Sequence, residues 1–216
     1  MGRKLDTETI YAYLNEAQRQ LFNQFYAQAI TTPSGVEQSK YISSVLGEFI
    51  ERSTLTGMTA DNVEESRNKY FNLPPDYFAY IRSNSQVDAT HSGNAVNKRV
   101  QNLFLRHEDF SRYVNEYFDE GIILRRPIAV IDDGKLHVIC DKYTTLNSVT
   151  LYYYRLPNDM DLFKGEAGAC EMPYVCFEQL VETAVNMYLA YAKGQLMAEK
   201  EQAEKQKKEQ EKQNEQ

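Results

Sequence analysis

The 216-residue chain has no tryptophan, three cysteines, six prolines and fewer basic than acidic side chains. Cys140, Cys170 and Cys176 are odd in number and nowhere spaced C-x-x-C. That excludes a zinc ribbon or a disulfide framework built from them alone; they read as buried or incidental thiols. Lys and Arg total 24 against 31 Asp and Glu, a net charge of −7. Phosphate-driven DNA binding, which needs clustered excess cations, is disfavoured by that balance. No run approaches the roughly 18 apolar residues of a membrane helix. Residues 1–6 lack the apolar stretch of a signal peptide, so a soluble protein made in a cytoplasm is expected.

Chemical signatures are missing as well. The chain has no G-x-G-x-x-G, no P-loop, no G-x-S-x-G and no H-E-x-x-H. His91, His107 and His137 lie in separate segments, with no pairing at i+3 or i+4. Asp159 and Asp161 begin like a carboxylate metal loop, but Phe163 and Lys164 stand where the calcium pattern needs an oxygen ligand and a glycine. A polar turn is expected there. Asp132 and Asp133 are explained by a hairpin turn. Arg125-Arg126 and Lys98-Arg99 are the basic clusters outside the C-terminal tail. A solvated face or an ion pair between subunits suits them better than nucleic acid. No catalytic, cofactor-binding or metal-ligating residue is assigned, and no enzyme activity or cofactor is expected.

What is abundant is tyrosine, 16 residues, with 10 phenylalanines beside it. Tyrosine combines large area with a hydrogen-bonding tip, which suits subunit contacts and the core of a β domain equally. The length fits one domain or a compact pair. Asp6 is placed to cap a first helix, with Leu5 and Ile10 as a hydrophobic staple. Ile10, Leu14, Ala17, Leu21 and Phe25 share one face, widened by Tyr13, Phe22 and Tyr26. Thr31-Thr32-Pro33 breaks the pattern. Ser34 and Glu37 form a capping box for a second helix with the stripe Tyr41, Ile42, Val45, Leu46, Phe49 and Ile50. Together they predict an antiparallel helical hairpin.

Residues 55–65 read as a linker. Strand character begins at Tyr70 and runs to a turn at Pro74-Pro75. Further strands are predicted over 77–81, where Asp76 could alternatively cap a short helical turn, and over 100–105, with a short helix over 108–118. Ile128 to Ile131, then Asp132-Asp133-Gly134, then Leu136, Val138 and Cys140 in alternation predict a β-hairpin. Residues 149–154 give another strand, closed by Pro157. An antiparallel, Tyr-rich region is expected. Pro173 then suits a helix start, followed by the stripe Phe177, Leu180, Val181, Ala184, Tyr188 and Tyr191. Residues 198–216 contain only Glu, Lys, Gln, Ala and Asn. Their i,i+4 pairs, Glu201 with Lys205 and Glu204 with Lys208, permit a helix, but a solvated, unfolded tail is favoured for an isolated subunit. The fold class is α+β. A discontinuous helical bundle is expected over 1–68 and 170–197, an inserted β-rich region over 69–169 and a tail over 198–216.

This order of elements resembles the head-to-tail adaptor, or connector ring, proteins of short-tailed phages, and is most similar to ring proteins of crAss-like phages. Tyr11-Ala12-Tyr13-Leu14-Asn15-Glu16-Ala17-Gln18 resembles the YLNxAQ start of the family's first helix. Leu73-Pro74-Pro75-Asp76-Tyr77-Phe78 resembles its LPxDF turn, residues 149–157 its LxYYxxP strand, and residues 172–192 its closing helix. The resemblance implies a virion structural protein of the tail or neck. Its partners would be other copies in a dodecameric ring, the portal protein, the next tail ring or hub proteins, and DNA passing without sequence-specific binding. The acidic balance agrees with such a conduit, because a cationic lumen would hold DNA. The alternative is an α+β enzyme or regulatory binding module with an unrecognised pocket.

Overall fold

The computed structural model describes residues 6–31, 36–56, 68–91, 94–106, 108–109, 126–140 and 144–214. The chain is α+β and divides into two compact units, Met1–Glu48 with Pro157–Gln216, and Phe49–Leu156. The β unit is therefore an insertion in the helical one, but it begins and ends earlier than the sequence pattern suggests.

Three helices build the first unit: α1 (Thr7–Thr31), α2 (Val36–Gly47) and α3 (Phe177–Asn214). Asp6 caps α1, accepting the Thr9 N–H at 2.7 Å. Hydrogen bonding from the Thr9 side chain first, and from its N–H second, holds the Asp6 carboxyl below its ordinary value. The apolar spacing then buries Ala17, Leu21, Phe22 and Phe25 on one face. Ile42, Val45 and Leu46 of α2 are buried too, and Phe25 meets Tyr41 edge-to-face at 5.9 Å. Tyr13 meets Tyr188 of α3 in the same manner at 5.7 Å. The expected turn at residues 32–34 and the Ser34 capping box lie outside the described residues.

Between the inserted unit and α3, residues 157–176 are held by two polar side chains of α1. Gln18 is 1% exposed, and its amide donates to the Asn158 carbonyl at 2.8 Å. Asn15 accepts the Met160 N–H at 2.7 Å and donates to the Met160 carbonyl at 3.1 Å. Asp161 caps the 3-10 segment Leu162–Gly168, so the polar turn expected at Asp159 and Asp161 is what stands there. Gly168 is required: a Cβ on it would lie 2.0 Å from the Asp161 carbonyl oxygen. A short 3-10 turn, Tyr174–Cys176, follows Pro173 and leads into α3. The helix continues through Asn214, where the sequence favours an unfolded tail.

The second unit holds two four-stranded sheets. One has the order β1 (Ile50–Leu55), β8 (Thr144–Arg155), β3 (Tyr77–His91), β4 (Asn94–Gln101), antiparallel throughout. The other runs β2 (Asn68–Asn72), β7 (Lys135–Ile139), β6 (Ile128–Asp132), β5 (Leu103–Phe104). Its β5–β6 pair is parallel, so the region is not antiparallel throughout. Phe71, Leu136 and Val138 of one sheet share a core with Leu55, Val87, Val149 and Leu151 of the other. Asp133 and Gly134 turn the β6–β7 hairpin at φ 46° and 68°, the left-handed pair that an Asp-Gly turn of primed type needs.

Three expectations are corrected here. The second helix stops at Gly47, and Ile50 opens β1 instead of extending the stripe; Ile50–Leu55 has the length of β8 to pair with. Phe49 is fully buried, with the Arg155 guanidinium 5.6 Å from its ring centre. The strand predicted over 77–81 runs on to His91, and that over 100–105 splits into β4 and β5 at Asn102. Asn102 is buried and bonded to Ser83 and Ser85 at 2.8 and 2.7 Å. Most of the linker expected at 55–65 and nearly all of the helix expected at 108–118 lie outside the described residues.

Candidate functional site

Among the described residues of the helical unit, α3 carries a row of uncovered apolar side chains. Phe177, Val181, Val185 and Leu189 recur at i+4, a spacing that lines them along one flank of a helix. Inward, Leu180 and Ala184 are 4% and 6% exposed. Outward, Phe177, Val181, Val185 and Leu189 are 37%, 52%, 49% and 46% exposed. The stripe read from sequence as continuous core is thus divided: Leu180 and Ala184 are buried, while Phe177, Val181 and Tyr191 remain uncovered. Beyond the N-terminal end of α3, Tyr174 and Val175 are exposed, as is Phe163 on the preceding 3-10 segment at 91%. Contiguous apolar surface of this kind marks an interaction site, since single exposed hydrophobics would not align. Val185 and Leu189 lie outside the stripe predicted from the sequence, and Phe163 is predicted only as part of a polar turn. The i+4 rhythm of the first two was the available signal.

A cavity of about 750 Å³ opens between the start of α1 and residues 159–164. Four carboxylates stand near it, but three have work already. Asp6 caps α1, Asp161 accepts the Phe163 N–H at 2.9 Å, and Asp159 takes the Arg19 guanidinium at 2.6 Å. No pair is left to divide acid and base roles. Among the described residues no group of three His, Cys, Asp or Glu side chains could hold a metal ion. His137 lies on β7 beside Tyr70, 4.3 Å between ring centres. His91 ends β3, and His107 falls outside the described residues. Cys140 and Cys176 are buried and Cys170 partly so. Burial raises the Cys170 thiol above its ordinary value, the opposite of an activated nucleophile.

The basic clusters also separate. Arg125 is outside the described residues, while Arg126 donates to the Gln101 carbonyl at 2.9 Å and serves the fold. Lys98 and Arg99 are adjacent on β4 and so point to opposite faces of the sheet. No described helix is long and apolar enough to cross a membrane. The chain matches no protein-family model and no curated protein sequence.

Proposed function

We propose that this chain is a virion structural protein, one subunit of a ring that joins a portal to a tail and prolongs the DNA channel. The observation that carries the reading is the uncovered flank of α3. A helix that buries Leu180 and Ala184 on one side and leaves Phe177, Val181, Val185 and Leu189 half in water on the other needs a second surface. In a ring every copy meets two neighbours through unlike faces, and such contacts close when the rotation per copy fits, which a portal template enforces.

Three of the four motifs of the resemblance support the reading because their polar residues serve this particular architecture. Asn15 and Gln18 of the opening helix anchor the returning chain at Asn158 and Met160. Asp76 of the LPPDYF turn accepts the Tyr153 hydroxyl of the YYY strand at 2.9 Å. Asp76 of one motif therefore holds Tyr153 of another, within the β unit. On this reading the subunit has no catalytic residue and no cofactor. Its partners are other copies, portal, the next tail protein and passing DNA.

Imaging the chain with its portal by electron microscopy tests the proposal. A closed ring of about a dozen copies under the portal is expected, in keeping with closed cyclic symmetry. The double variant Val181→Asp and Val185→Asp should fold as a monomer yet fail to join the ring. A stable two-fold dimer with no affinity for portal overturns the reading.

A further inference from the structure

The outward face of the β1-β8-β3-β4 sheet gathers three arginines around one tyrosine. Arg52 on β1 and Arg82 on β3 are both cross-strand partners of Tyr152 on β8. Their guanidinium carbons sit 6.0 and 4.4 Å from the Tyr152 ring centre, one from each neighbouring strand. Arg99 reaches over from β4 and donates to the Tyr152 hydroxyl oxygen at 3.3 Å. All three arginines are exposed. None forms an ion pair with a carboxylate among the described residues, although the chain holds 31 Asp and Glu. Burial alone would raise the Tyr152 phenol. The Arg99 hydrogen bond and the charges of Arg52, Arg99 and Arg82 outweigh it, and the phenol lies below its ordinary 10.0. The site is a local reversal of the molecule's net charge of −7.

A guanidinium stacked on an aromatic ring is fixed in position while its N–H edge stays open to a planar or tetrahedral oxyanion. By register Thr54, Asn84 and Gln86 share this face to one side of Tyr152, and Ile50 and Tyr154 share it to the other. The carboxylate on the same face of β3, Asp88, is engaged by Asn97 and Asn147 at 2.5 and 2.7 Å. An acidic protein partner would need a dry apolar anchor at the centre of its contact. Here the central ring is occupied by cations from both neighbouring strands, and the exposed aliphatic side chain beside it, Ile50, lies on the edge strand and not at the centre. An open, wet, cationic sheet face with no apolar centre suits an extended chain of phosphates better.

We propose that this sheet face binds the phosphodiester backbone of nucleic acid, with Arg52, Arg82 and Arg99 taking phosphate oxygens and Tyr152 as the positioning residue that spaces them. The site is independent of ring formation and is a property of the single chain. Contacts are non-specific in sequence, since none of these groups reaches a base edge in a defined way. The surrounding negative charge keeps binding weak, and the patch dominates only within a Debye length of about 8 Å at physiological salt.

Fluorescence anisotropy of the full chain with a labelled oligonucleotide, single-stranded and as a duplex, tests this. Three released counterions predict a roughly 20- to 40-fold loss of affinity between about 50 and 200 mM salt. Arg82→Gln should lower that salt slope by about one unit and weaken both forms alike. Arg82→Lys should keep most of the slope, and Lys164→Gln on the 3-10 segment of the helical unit should change nothing. Should Arg82→Gln fail to fold by circular dichroism, the salt slope of the unaltered chain decides. No binding at low salt, or binding unaffected by salt, overturns the proposal. So does displacement of the oligonucleotide by poly-glutamate as effective as by unlabelled oligonucleotide, which would mark an acidic-protein site. Saturation by inorganic phosphate with no affinity for either oligonucleotide would mark a free-anion site and overturn it equally.

Discussion

The outward flank of α3 and the outward face of the β1-β8-β3-β4 sheet are opposite answers to exposure. The helix shows water a line of Phe177, Val181, Val185 and Leu189, uncharged side chains that gain by being covered. The sheet shows water Arg52, Arg82 and Arg99 about Tyr152, groups whose desolvation is costly unless an anion replaces the water. One surface is suited to permanent contact and the other to contact that can be released.

The sharpest way to break that contrast is to show that the α3 flank is core after all. Phe71 is 1% exposed within the shared core of the β unit, so Phe71→Ala should cost about 3–5 kcal/mol in chemical unfolding. Val181→Ala, at 52% exposure, should stay within about 0.5 kcal/mol in the single chain and show its loss only when copies assemble. A large loss for Val181→Ala in the monomer would place that residue in the fold and remove the interface argument.

A smaller effect sharpens the comparison of the two units, because each holds one tyrosine with a strongly raised phenol. In the β unit, burial first and the Asp76 hydrogen bond second push Tyr153 up to about 12. In the helical unit, the hydrogen bond to Cys176 first and burial second push Tyr41 up to about 12. An unfolded chain releases these protons near 10.0, whereas the folded chain keeps them to about 12. Stability from both groups is therefore complete below pH 10 and falls as pH rises through that window. Alkaline melting curves should show the decline, and Tyr153→Phe and Tyr41→Phe should each flatten part of it. An unchanged decline in both variants would assign it to other groups.

The helical unit was legible because its signals are local. Asp6, the three-and-four spacing of α1 and the Pro173 start lie within a few residues of what they control. The Asp-Gly hairpin was legible for the same reason. The long β3 strand was not, because Ser83 and Ser85 stand fully buried where alternation leads one to expect apolar residues. Their hydroxyls are satisfied by Asn102, whose place between them is a tertiary fact with no local signature. The arginine face was hidden by the same cause. Arg52, Arg82, Arg99 and Tyr152 come from four strands, and only the register brings them together. Lys98-Arg99 drew notice as an adjacent pair, yet adjacency in a strand separates the two charges.

The last comparison lies along α3 itself and carries the smallest expected effect. Up to Tyr188 and Tyr191 the helix has partners in α1, with Tyr13 at 5.7 and 6.5 Å. Past Gly194 the described side chains are exposed, Met197 at 67%, and residues 198–216 have no large apolar side chain. The helix nevertheless extends to Asn214. An isolated polar helix of this length is marginal, held by i,i+4 pairs of a few tenths of a kcal/mol each. Deleting everything after Gly194 should therefore leave the unfolding midpoint of the single chain unchanged. If the extension docks on a portal, the truncated chain should attach more weakly, and the difference should shrink as added salt screens the exposed charges. Equal attachment by both chains across the salt series would make the extension a solvated appendage. A lowered midpoint would mean that the polar stretch braces the bundle, and that the boundary drawn at Gly194 between packed and unpacked helix is misplaced.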